Sequence, residues 1–110
     1  MDKRKQRRLE VRGWRVGSVA EFLGLSEEEA ALVEMKLRLS SALKARRGAL
    51  RLSQAALAKR LRSSQSRVAK MEAGDRSVSI DLLMKALLVL GATPTDVGKA
   101  LQHRAPRVAA

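Results

Sequence analysis

From residue 26 onward the apolar positions recur at helical spacing, and most runs open on a capping residue and close near a glycine. Leu32, Met35, Leu39, Ala42 and Leu43 keep this period and predict one long amphipathic helix from Glu27 to Arg47. Ser26 with Glu29 forms a capping box, and Glu27, Glu28 and Glu29 place anions in the first turn. Lys44, Arg46 and Arg47 place the complementary cations in the last turn, before Gly48. Val33 and Leu37 make a second apolar flank, more than one buried stripe requires, suited to an N-terminal helix or another subunit. Ser53 caps a helix from Gln54 to Leu61, whose Ala55, Leu57, Ala58 and Leu61 are expected to point inward. Ser64 caps another from Gln65 to Ala73, with Val68 and Met71 inward and Gly74 closing it. Ser79 caps Ile80 to Leu90, rich in Leu82, Leu83, Ala86 and Leu87 and closed by Gly91. Thr93–Pro94 starts a last short helix to about Leu101.

The N-terminal part is less regular. Ser18 and Glu21 fit a capping box opening a short helix, Val19 to Leu23, closed by Gly24. Leu9, Val11, Trp14 and Val16 alternate weakly, enough for a short strand against a partner. The expected fold class is therefore all-α, six helices behind a basic arm at residues 1–17, with residues 18–102 as the helical domain and 103–110 as a tail.

Composition narrows the chemistry. The chain has 110 residues, 45% of them apolar, which suits one domain with a modest core. It has no Cys, which excludes a disulfide framework, a thiolate zinc site and a cysteine nucleophile. His103 is the only histidine, so no His-based metal site or acid–base pair can be built within one chain. The expectation is a non-enzymatic chain with no cofactor and no metal, because no nucleophile–base set is present. The longest apolar run, Ala86 to Leu90, is far below the roughly 20 residues of a membrane span. No signal-peptide pattern follows the basic start, and the expected location is cytoplasmic.

Charge changes the picture more. The net charge is +12, unevenly spread: residues 18–39 carry two basic and five acidic groups, residues 40–78 ten basic and two acidic. The central concentration is the footprint of a polyanion binder, since displacing phosphate counterions favours association. Aromatic side chains number only two, Trp14 and Phe22, which argues against a stacking platform for single strands.

The two short helices Gln54–Leu61 and Gln65–Ala73 are separated by three residues. Small Ala58 stands where they must approach, and Leu61 and Val68 can pack across the turn, so residues 53–74 form a helix-turn-helix. The run LSQAALAKRLRSSQSRVAKMEAGDRSVSIDLLMKALLVLGA, Leu52 to Ala92, closely resembles the lambda-repressor-like (XRE/Cro) helix-turn-helix family. With the preceding helix the likeness runs from about Leu39. The resemblance implies a lambda-repressor-like bundle binding double-stranded DNA, with the second helix of the motif in the major groove. Its first residues here are Ser64, Gln65, Ser66 and Arg67, with Lys70 one turn on. Gln can pair bidentately with adenine and Arg with guanine, and small hydroxyl residues let the backbones approach. Gln54 matches a family glutamine that holds a phosphate. Arg51, Arg62, Arg76 and Lys59 are phosphate candidates by charge and position alone. Arg47 and Glu72 match a family pair that forms a partly buried, structural salt bridge. One departure stands out: Arg62 occupies a turn position where the family usually has Gly. Either a left-handed Arg62 costs about 1 kcal/mol, or the turn is built differently.

The stretch Trp14 to Leu39 is similar to the N-terminal extension of the HigA-like antitoxin branch, through its L-G-L-S-E-E-E-A run. That likeness implies a small regulator encoded beside a toxin, and a toxin protein as a partner. The leading expectation is a homodimeric, sequence-specific transcriptional repressor on a palindromic operator, since one recognition helix covers too few base pairs for specificity. The alternative is an antitoxin whose main role is neutralising its toxin, with autoregulatory DNA binding. The basic arm can reach a minor groove or serve only solubility.

Overall fold

The structure, a computed structural model, describes residues 24–102. The expected strand over residues 9–16, the short helix over 19–23, the basic arm and the tail lie outside the described residues. The described residues form five helices and no strand: α1 (Glu27–Ala49), α2 (Gln54–Leu61), α3 (Gln65–Ala73), α4 (Ile80–Val89) and α5 (Pro94–Gln102). The chain divides into two compact units, residues 1–35 and 36–110.

In the described part of the first unit, the capping box at the start of α1 is closed in both directions. Ser26 Oγ accepts from Glu29 N–H at 3.1 Å, and Glu29 Oε1 accepts from Ser26 N–H at 3.2 Å. Ala30 is buried there, with Leu25 and Val33 against it. Leu32, expected on the apolar stripe, is instead half-exposed.

The second unit holds the main core. Leu39 and Leu43 of α1, Leu57 of α2, Val68 and Met71 of α3 and Leu83 of α4 are essentially inaccessible. Val97 of α5 closes the cluster. Each helix thus contributes the face its 3.6-residue period dictates. Ala55 is the exception to the sequence reading: it is exposed. It lies two residues from Leu57, about 200° around the helix by the helical repeat, and so faces away from the core.

Helix ends follow one rule. At the ends of α1 through α4 one amide reaches back five residues and the amide just before it reaches back three, the Schellman arrangement. At α3 the pair is Asp75 N–H to Lys70 O (3.1 Å) and Gly74 N–H to Met71 O (3.4 Å); at α4 it is Ala92 to Leu87 and Gly91 to Leu88, both 3.0 Å. The same device corrects one boundary. Gly48 does not stop α1, which continues to Ala49 and is closed by Leu52 N–H to Arg47 O (3.1 Å) and Arg51 N–H to Gly48 O (3.0 Å). The left-handed residue of that cap is Arg51, φ 56°.

Cations along α1 hold backbone carbonyls of neighbouring segments. Lys36 Nζ donates to Arg76 O (3.2 Å), Arg38 Nη1 to Leu101 O (2.6 Å) and Arg46 Nε to Leu90 O (3.0 Å). The last two meet carbonyls at the C-terminal ends of α5 and α4, where the helix dipole favours positive charge. These side chains are partly buried, and their charge serves the scaffold.

Candidate nucleic-acid interface

α2 and α3 pack closely on each other, with Ala58 and Val68 buried and Leu61 against the same cluster. Ser53 caps α2 by accepting from Ala56 N–H (3.0 Å), and Ser64 caps α3 by accepting from Arg67 N–H (3.2 Å). Between them Arg62 takes φ 53°, ψ 48°, so the turn keeps its left-handed geometry with a non-glycine residue in it. Its closure is Ser63 N–H to Ala58 O (2.9 Å) and Arg62 N–H to Lys59 O (3.2 Å).

Burial of Val68 and Met71 fixes which way α3 faces. Ser64, Gln65, Ser66 and Arg67 are exposed at its start, and Lys70 is exposed one turn later. Ser64 and Ser66 hydroxyls lie 3.2 Å apart. Beside this edge a hollow of about 230 Å³ is lined by Ser64, Ser66, Arg67, Lys70, Ser77 and Val78. Ser77 and Val78 were not anticipated from sequence. Ser77 is held by Asp75, whose Oδ1 accepts from the Ser77 amide (2.8 Å) and hydroxyl (2.6 Å). The Asp75–Arg76–Ser77 spacing is a signal for such a turn. The hydrogen bonds from the Ser77 side chain and backbone hold the Asp75 carboxyl below its ordinary value.

Behind the edge sits an ionic network. Arg47 donates through Nε and Nη2 to the two oxygens of Glu72, the latter at 2.9 Å, and through Nη1 to Leu52 O at 2.7 Å. The Glu72 side chain is only 3% exposed and that of Arg47 17%. Burial pushes the Glu72 carboxyl up, but the hydrogen bonds from Arg47 and Gln54 and the charges of Arg47 and Lys44 outweigh it, leaving the group below its ordinary value. The hydrogen bond to Glu72 raises Arg47 further. Gln54 Nε2 donates to Glu72 Oε1 at 3.2 Å, so this residue has an internal partner as well as its place at the start of α2. The network ties the end of α1, the loop before α2 and the last turn of α3 together.

Arg51, Arg62 and Arg76 are exposed, as are Lys59 and Arg60 on α2. They contrast with Lys36, Arg38, Arg46 and Arg47, which are partly buried and donate inward. Two short packed helices, a tight turn and an exposed polar edge on the second helix define a helix-turn-helix domain. A family model described as helix-turn-helix matches residues 43–97, from the last turns of α1 to the first turn of α5. The chain belongs to this family, the XRE or lambda-repressor-like helix-turn-helix proteins, whose domains bind DNA. No curated protein and no solved structure matches the chain. No helix among the described residues is long and apolar enough to cross a membrane.

Proposed function

We propose that this chain is a sequence-specific transcriptional repressor, a homodimer that seats α3 of each copy in the major groove of a palindromic operator. The observation that carries the reading is the exposed edge Ser64–Gln65–Ser66–Arg67, on a helix whose opposite side is locked into the core. Gln65 pairs with adenine and Arg67 with guanine, and the serines allow close approach. Lys70, Arg51, Arg62, Arg76 and Gln54 contact phosphates and set the register. Two copies are supported by arithmetic, since one α3 reads only a few base pairs. Leu88 and Val89, 49% and 38% exposed on α4, offer apolar surface to a second copy. The reading assigns no catalysis and no cofactor.

The direct test selects a preferred duplex from a random-sequence pool and measures affinity across salt. Arg67→Ala and Gln65→Ala should each lose about 1–3 kcal/mol on that site and relax preference at one base position. Equal affinity for selected and mixed-sequence duplexes at every salt concentration sinks the regulator reading.

The antitoxin reading keeps one supporting observation: Glu27, Glu28 and Glu29 open α1 in the first unit, near half-exposed Leu32. An acidic, partly apolar surface suits a basic protein partner. Stable co-purification with the product of an adjacent reading frame, released by Glu27→Lys with Glu28→Lys, would support it.

A further inference from the structure

The two non-glycine residues with positive φ among the described residues are both arginines, Arg51 (φ 56°) and Arg62 (φ 53°). Both occupy the same position, the left-handed residue of a Schellman cap, at the two turns that bracket α2. The caps that end α3 and α4 use Gly74 and Gly91. Packing explains part of this division. A Cβ on Gly74 would lie 2.6 Å from Leu37 Cδ2, so that leucine would have to swing aside, whereas Arg51 and Arg62 are exposed. Space permits a side chain at the α2 turns, but it does not favour one. Glycine adopts φ near +55° without the Cβ clash that an arginine meets. Neither arginine's guanidinium makes a hydrogen bond or ion pair within the described residues. No hydrogen bond or ion pair of either side chain among the described residues therefore offsets the strain. Other exposed cations, Lys59, Arg60, Arg67 and Lys70, stand on the same two helices.

We infer that Arg51 and Arg62 are affinity residues held on strained backbone: each carries a cation from its turn to a DNA phosphate, and the fold gives up stability at both turns to keep it there. Strained backbone persists where function selects it. This inference rests on the DNA-binding reading and adds an assignment of purpose to the strain. Contacts to phosphate carry no sequence information, so both residues act on affinity and salt dependence and leave base preference alone.

The test compares the full chain with Arg62→Gly, Arg51→Gly, the double variant and Arg62→Lys. Each is measured for urea midpoint and for binding to a mixed-sequence duplex and a pool-selected duplex over a salt series. Each glycine variant should raise the urea midpoint, weaken binding to both duplexes by the same factor, and reduce the slope of log affinity against log salt by about 1. The double variant should reduce the slope by about 2, and Arg62→Lys should keep it. Glycine variants that gain stability with unchanged affinity and salt slope overturn the inference while leaving DNA binding intact. A wild-type chain that binds neither duplex overturns the DNA-binding reading itself, which that outcome distinguishes.

Discussion

A carboxylate with 3% of its side chain exposed is tolerable only while its partners stay in place, and Glu72 has Arg47 and Gln54. Glu72→Ala or Arg47→Ala should each cost about 3 kcal/mol, since each leaves the opposite charge partly buried without its counter-charge. The double variant should cost less than the sum of the two, with a coupling of about 1–3 kcal/mol in a urea double-mutant cycle. Strict additivity would refute the coupling. The depressed Glu72 carboxyl also sets a pH dependence. Its folded-state value lies below the ordinary 4.5, so the unfolded chain binds the proton more readily. The contribution is complete above pH 4.5 and is lost as pH falls through the lower folded-state value. Glu72→Gln should flatten that acid limb of the urea midpoint. The likeness to the family pointed to the Arg47–Glu72 pair, but Gln54 joining it was not legible. Gln54 and Glu72 are 18 residues apart, and only packing of α2 on α3 brings them together.

At the scale of elements, helix ends were easier to read at the start than at the finish. Serine caps at 53, 64 and 79 declare themselves because a side-chain oxygen must satisfy a free amide. The end of α1 does not, because Gly48 invites a stop that the chain ignores in favour of Arg51. Glycine lowers helix propensity by only about 1 kcal/mol, which tertiary contacts override, and the Arg47 side chain holds the next loop through Leu52 O. The contact between α1 and the end of α3 provides a contrast in sign. Gly74→Ala should destabilise by about 1–2 kcal/mol, chiefly through the strained φ of 73°, with the Leu37 side-chain end moving aside for the new Cβ. Ser40 lies beside it with a buried hydroxyl that has no hydrogen-bond partner among the described residues, so Ser40→Ala should stabilise by about 1 kcal/mol. Thermal or urea unfolding of both variants checks the pair. A destabilised Ser40→Ala would show that the hydroxyl is satisfied in solution.

For the whole molecule, a net charge of +12 is not a uniform coat. Arg38 and Arg46 are spent on carbonyls at helix ends, and Arg47 on Glu72. Arg38→Ala and Arg46→Ala should therefore lower stability by about 1 kcal/mol each and leave the salt slope of DNA binding unchanged. A slope reduced by about 1 in either variant would place that residue on the phosphate surface instead. The sequence places Arg46 in the last turn of α1 and Arg51 just past it, but only the folded chain shows that Arg46 donates to Leu90 O while Arg51 stays exposed. Periodicity, caps and the Ser–Gln–Ser–Arg edge were written in the chain because local geometry depends on neighbours a few residues away. Which cations remain outside, how Arg62 fits its turn, and that Ser77 and Val78 border the exposed edge of α3 were decided by tertiary structure. Those outcomes depend on contacts between residues far apart in the chain, and one-dimensional spacing carries no record of them.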